Sequence, residues 1–183
     1  MYTFIALFRG INVGGHHSLP MRELAGILEN MGLENIRTYI QSGNVIFQSK
    51  VNHDTGVSTE ISSSVEAIKG FKPGVLLLSP EEFQTAIDKC PFSTDVGKLL
   101  HFFFLGEIPE GPDLESLEAL KSETEEFQLI NKVFYLYAPD GIGRSKLVTK
   151  VEKAMGAPGT ARNWNTVRKI LSLTEMPCCQ NRS

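Results

Sequence analysis

The sequence predicts an α+β protein made of two ferredoxin-like subdomains, each a split βαβ arrangement, packed as one compact unit with a C-terminal helix. Three observations carry that expectation. Strand-like apolar runs and helical stripes follow the order β-α-β-β-α-β over residues 2–78. A second round, read as β-α-β-β-α, opens at Leu99. At 183 residues the chain accommodates both rounds, and because a lone half buries a smaller fraction of its surface than the whole, the halves are expected to share packing.

Residues 2–8 are nearly all apolar, as a strand buried on both faces requires, and Arg9-Gly10 closes the run. After a glycine-containing loop, Ser18 or Leu19 is placed to cap a helix with Pro20 in its first turn. Met21, Leu24, Leu28 and Met31 form its stripe, and Gly32 its stop. Residues 36–40 and 44–48 are β-rich and joined through Gln41-Ser42-Gly43, which reads as a hairpin. A helix from Ile61 carries Val65 and Ile68 but is weakened by Ser62-Ser63-Ser64, and residues 74–78 supply a fourth strand. Ser79-Pro80-Glu81-Glu82 combines an N-cap serine, a proline at the first helical position and a glutamate three after the cap. Its helix, with Phe83, Ile87 and Cys90 on one stripe, is expected to bridge the halves.

The second round opens with a strand at 99–105 and passes Gly111-Pro112-Asp113 into a helix bearing Leu114, Leu117 and Leu120. Strands near 125–130 and 133–137 follow, around an Asn131-Lys132 turn. Ser145 is expected to cap a helix with Leu147, Val151 and Met155 on its stripe and Gly156 after it. No closing strand is evident beyond it. Ala157-Pro158-Gly159 reads as a turn, and Thr160 as the cap of a last helix carrying Trp164, Val167 and Leu171, which puts Arg162 and Thr166 on one face. The divisions are thus a first subdomain at 1–79, a bridging helix and linker at 80–97, a second subdomain with its helix at 98–173, and a flexible tail at 174–183.

Eighteen Lys and Arg against 21 Asp and Glu give a net charge of −3, which disfavours nucleic-acid binding by the whole surface. An RNP-like aromatic motif is also missing, which disfavours single-stranded nucleic acid on the open sheet. Three cysteines give no disulfide framework, and the first apolar run is too short to span a membrane and lacks a basic lead-in. The expected setting is cytoplasmic, without membrane contact. Oligomeric state is not encoded in any recognisable pattern.

In a split βαβ sheet the third strand lies between the first and second, antiparallel to both, so its start meets their ends. That gathers Arg9-Gly10, Thr38-Tyr39 and Ser42-Gly43-Asn44 on one edge beside the loop Arg9-Gly10-Ile11-Asn12-Val13-Gly14-Gly15. Arg9 offers a cation, Gly14 and Gly15 backbone N–H groups, and Asn12, His16, Ser42 and Asn44 hydrogen bonds for an anionic ligand. Arg162 and Asn163 are further candidates from the second half. A structural reading of the same residues stands beside this one: glycines for tight turns, Asn12 and Asn44 bonding loop backbone, Arg9 paired with a carboxylate. The loop lacks G-x-G-x-x-G, and neither it nor residues 141–146 matches G-x-x-x-x-G-K-[ST]. Arg144 and Lys146 nonetheless stand at an expected helix start, where an anion or solvent must offset them.

No catalytic residue emerges. His16 and His17 adjoin on a loop, His53 sits in a polar stretch, and His101 alternates with phenylalanines in a strand, so none has an evident metal partner. The Cys178-Cys179 pair lies in the tail without a second cluster, and no metal or cofactor is expected. Trp164 reads as core rather than as a stacking platform.

RGINVGG at 9–15, TYIQSGNVIF at 38–47 and TARNWNTV at 160–167, in that order, resemble the bacterial family called domain of unknown function 1697, over nearly the whole chain to about Leu173. The resemblance implies two ferredoxin-like subdomains and brings no established activity. Relatives often look lysine-rich after Gly15, where this chain has His16-His17-Ser18, a titratable imidazole in place of a permanent charge. The expected function is binding of a small anionic ligand, a nucleotide or phosphorylated metabolite, with or without a reaction. The alternative is a non-catalytic protein interaction module.

Overall fold

A computed structural model of the chain describes residues 1–52 and 56–175. His53, the Cys178-Cys179 pair and the tail beyond Glu175 lie outside the described residues. The chain divides into two units, one of Met1–Gln84 with the stretch from Lys169 onward, the other of Thr85–Arg168. No described helix is long and apolar enough to cross a membrane.

The first unit contains β1 (Tyr2–Arg9), α1 (Met21–Asn30), β2 (Glu34–Tyr39), β3 (Asn44–Ser49), α2 (Val57–Lys69) and β4 (Gly74–Leu78). Its sheet has the order β2-β3-β1-β4 with every neighbouring pair antiparallel, so β3 does lie between β1 and β2. Because β1 is central, Phe4 to Phe8 are all buried. Phe4, Ala6 and Phe8 on one face join Leu24 and Leu28 of α1 and Ile61 and Val65 of α2 in a single core. In β2 the register slips between Glu34 and Arg37, and Asn35 takes a left-handed φ of 53° while its Nδ2 donates to Gln48 Oε1 at 2.6 Å.

Two local expectations for this unit change. No side chain caps α1: Pro20, with φ −56°, takes the N-cap position, and Leu24 N donates to the Pro20 carbonyl at 3.0 Å. Ser18 and Leu19 fall two residues and one residue short of the cap position. α2 begins at Val57, four residues before Ile61, and its serines cost less than their propensity suggests. Ser62 is buried and donates to Pro73 O at 2.9 Å, so its hydroxyl does not compete for the helix backbone.

α3 (Pro80–Asp88) starts on a reciprocal capping box: Glu82 N donates to Ser79 Oγ at 3.1 Å and Ser79 N to Glu82 Oε2 at 2.8 Å.

The second unit repeats the arrangement with β5 (Leu100–Leu105), α4 (Leu114–Leu120), β6 (Glu126–Ile130), β7 (Val133–Tyr137), α5 (Val151–Met155) and β8 (Gly159–Asn163), in the order β6-β7-β5-β8. Phe103, Phe134, Leu136, Leu117 and Val151 form its helix-covered core. Asp113 caps α4, its Oδ1 accepting from Ser116 N at 3.0 Å.

Here four expectations are overturned. A closing strand exists: β8 pairs antiparallel with β5, Thr160 opposite Phe104 and Arg162 opposite Phe102. Residues 160–163 are therefore strand, and α6 (Trp164–Thr174) is capped by Asn163, whose Oδ1 accepts from Thr166 N at 3.0 Å. Arg162 and Thr166 do not share a helix face. The free edge of β5 decides this, because pairing supplies the backbone partners that a local helix signal only promises. Ser145 caps nothing: Ile142–Arg144 and Val148–Lys150 are single 3₁₀ turns, and α5 follows only at Val151.

Two expected outcomes follow from this packing. Gly43, with φ +75°, sits where an added Cβ would lie 2.5 Å from Phe8 Cβ and 2.6 Å from Ile11 Cδ1. Gly43→Ala is expected to cost roughly 3 kcal/mol in urea denaturation, from left-handed strain plus overpacking. Gly14→Ala, where nothing lies within 4 Å, should cost only about 1 kcal/mol; equal losses would contradict the contact argument. The second outcome concerns His101, only 6% exposed opposite Leu136, whose burial holds its pKa below the ordinary histidine value. The unfolded chain then takes up a proton first as pH falls. The stability tied to neutral His101 is full above about pH 6.5, declines below it, and levels off beneath the folded-state pKa. Unfolding midpoints measured between neutral and mildly acid pH should show this decline, and His101→Gln should flatten it.

Candidate functional site

The register brings four strand ends together in the first unit. Leu7 faces Asn44, Tyr39 faces Asn44 from the other side, and Arg9 faces Gly74. The β1–α1 loop, the β2–β3 turn and the α2–β4 turn therefore meet at one end of this sheet, the convergence the topology predicts.

The glycine loop is a small hairpin. Asn12 N donates to His17 O at 3.1 Å, His16 N to Val13 O at 3.0 Å, and Val13 bridges His16. Gly14 and Gly15, at φ 58° and 79°, occupy the two left-handed positions of a two-residue turn. A Cβ at either would meet nothing within 4 Å, so the dihedrals alone demand glycine.

Asn12 bolts this hairpin down. Its Oδ1 accepts from Leu19 N at 2.8 Å, and its Nδ2 donates to Leu19 O at 2.9 Å and Gln41 O at 2.8 Å. One carboxamide thus ties the loop to the lead-in of α1 and to the β2–β3 turn. Nearby, buried Asn44 donates to Tyr39 O at 3.0 Å and Ser42 Oγ at 3.1 Å. His17 adds a clasp: its Nδ1 lies 2.8 Å from Gly10 O, which can only accept, and its ring stacks on Phe71 with centroids 4.5 Å apart. Sequence reading passes over His17 and Phe71, because nothing in either stretch alone announces that a turn 54 residues later supplies the stacking partner.

The predicted ligand residues thus fall into two groups. Asn12, Ser42 and Asn44 belong to the hydrogen-bonded frame. Arg9, Gly14, Gly15 and His16 are exposed, and the N–H groups of Gly14 and Gly15 have no partner among the described residues. Two apolar side chains share the same end: Val13 is 67% and Ile40 48% exposed, and Ile40 carries a left-handed φ of 50°. For a β-branched residue that backbone is a strained outlier.

Arg162 and Asn163 lie in the second unit. Asn163 is the α6 cap, and Arg162 is buried, donating to Thr160 Oγ1 at 2.7 Å and Ala161 O at 2.8 Å. Burial lowers the Arg162 pKa to about 10, which leaves it charged near neutrality. Trp164 is half-buried and stacks on Phe102 with centroids 5.9 Å apart. Cys90 is a poor nucleophile, since burial raises its thiol pKa. Among the described residues no three His, Cys, Asp or Glu side chains gather to hold a metal.

None of the curated proteins compared with the chain matches it. The solved structure of SP0830, a conserved bacterial protein from Streptococcus pneumoniae, is similar, with a TM-score of 0.69 and 27% identity over 95% of this chain and 99% of that one. The family model described as "Protein of unknown function (DUF1697)" matches residues 1–135. That span holds the motifs at 9–15 and 38–47 and stops short of 160–167. The match covers most of the chain, which belongs to the DUF1697 family.

Proposed function

We propose that the chain binds a small anionic ligand, a nucleotide or phosphorylated metabolite, at the loop end of the first unit. The observation that supports this best is a hairpin fastened by its own bonds, whose tip leaves two adjacent N–H donors, on Gly14 and Gly15, without a partner among the described residues. Exposed Arg9 ends the strand that feeds this loop, and His16 follows the turn. Donors held in place by a framework do not have to be ordered when an anion arrives, which is the advantage of preorganisation. Asn12, Ser42 and Asn44 serve that reading by holding the loop rather than by touching the ligand. Arg162 and Asn163 enter it only as groups fixing the α6 start and the β8 strand.

A second reading, a non-catalytic interaction module, draws on Ile40. A strained, half-exposed isoleucine beside an exposed valine is costly to keep unless its side chain is used. The partner would then be a protein surface that covers Val13 and Ile40.

A thermal-shift screen of nucleotides, phosphates and coenzymes separates the two. A ligand present at about 100 times its Kd should stabilise by roughly 2.7 kcal/mol, and Arg9→Ala should reduce the shift given by a nucleotide much more than it lowers the unliganded melting temperature. A flat screen at high concentrations would reject the anion reading. For the second reading, Ile40→Asn is expected to raise stability by roughly 0.5–1 kcal/mol, since asparagine tolerates the left-handed region. A loss of stability in chemical denaturation would instead make Ile40 a packing residue and remove the argument from strain.

A further inference from the structure

The second unit contains a cleft of about 460 Å³ between the end of α4 with the segment leading into β6, residues 119–125, and the stretch after β7, residues 140–146. Its walls are fixed by their own bonds. Ser122 N donates to Glu125 Oε2 at 2.9 Å, and Thr124 Oγ1 donates to Asp140 Oδ2 at 2.8 Å, which joins one wall to the other. Five charged residues line it: Lys121, Arg144 and Lys146 against Glu125 and Asp140. Lys121 is already paired with Glu118 at 2.5 Å and lies over the Phe127 ring. The side chains of Arg144 and Lys146 make no hydrogen bond or ion pair with any described residue.

Between those two exposed cations stands Ser145, 9% exposed, which also lines the cleft. Among the described residues its Oγ is the buried side-chain polar atom left without a hydrogen-bond partner. Native interiors rarely leave a hydroxyl so, because its lost hydration is not offset by anything in the protein. An acceptor brought in by a ligand would offset it. A phosphate monoester dianion carries acceptors only, and two cations on either side of Ser145, neither paired with a described residue, suit its charge.

We propose that this cleft binds the phosphate group of a small phosphorylated sugar or polyol, with Arg144 and Lys146 as charge partners and the Ser145 hydroxyl as donor. The volume exceeds what a bare phosphate fills. Glu125 and Asp140, which repel an anion, face the remainder of the ligand, where carboxylates accept from hydroxyl groups. The site lies wholly within the second unit and is independent of the loop end of the first.

The test is an NMR titration of isotopically labelled full-length chain with inorganic phosphate and with glycerol 3-phosphate. Amide shifts are expected in residues 121–125 and 140–146. The R144Q/K146Q variant should weaken binding about tenfold or more, as loss of charge-assisted bonds implies, and Arg9→Ala should not change it. Ser145→Ala should weaken binding severalfold without lowering the urea midpoint, because the hydroxyl has no partner among the described residues to lose. The proposal fails if no amide moves at tens of millimolar of either probe, if the shifts fall on residues 10–17 and vanish with Arg9→Ala, or if R144Q/K146Q binds as tightly as the parent. A lowered midpoint for Ser145→Ala would overturn the donor role. Because the two sites report on different amides, failure here leaves the reading of the first unit to stand or fall alone.

Discussion

The loop end of the first unit depends on one side-chain amide. Asn12 spends both of its N–H donors and its oxygen on backbone groups from two other segments, and it does so from a left-handed backbone that asparagine tolerates better than most residues. Aspartate in its place would lose both donors, and leucine would lose all three bonds. The hairpin at 12–17, the approach to α1 and the β2–β3 turn hold their mutual positions through it. Gly43 completes the arrangement from below: its missing Cβ lets Phe8 and Ile11 come close, and its carbonyl accepts from Phe8 N at 2.8 Å. Rigidity at this end is therefore built by a polar fastener over an apolar contact.

Much of the fold was legible because strong local signals agreed with the tertiary outcome. The β1 run, the Ser79–Glu82 capping box and the Asn131-Lys132 turn each specify one structure locally, and the topology then fixes which ends meet. Legibility failed where a tertiary partner outweighed a local signal. Thr160 looks like a cap because a hydroxyl precedes a helical stripe, yet β5 had an unfilled edge, and strand pairing moved the true cap to Asn163. Ser145 misleads for the opposite reason: it lies between two single 3₁₀ turns, and the helix starts only at Val151, so there is no helix start beside it to receive its oxygen.

The candidate sites divide along the same line. Residue type and the expected meeting of strand ends nominated Asn12 and Asn44 as ligand residues, with loop-backbone bonding as the other reading, since sequence shows a polar group but not where its hydrogen bonds go. Three-dimensional partners convert both into framework and leave Arg9, His16 and the Gly14-Gly15 amides as the exposed chemistry. In the second unit Arg162 was expected on a helix face with Thr166 and is instead a buried cation on a strand. Arg144 and Lys146, marginal in the sequence, gain meaning only because a cleft and an unpaired hydroxyl lie beside them.

The irregularity in β2 bears on how this protein avoids unwanted company. β2 is an outer strand of its sheet, and an outer strand with regular backbone is a template for another chain. The slip between Glu34 and Arg37, with Asn35 in a left-handed turn, breaks the ladder of donors and acceptors that such a chain would need to copy. Arg37 leans further against this route by donating to Leu173 O at 2.6 Å, so the last turn of α6 guards the same strand. A partner that approaches along β2 must read its side chains, because that margin of the sheet has been made unfit for extension.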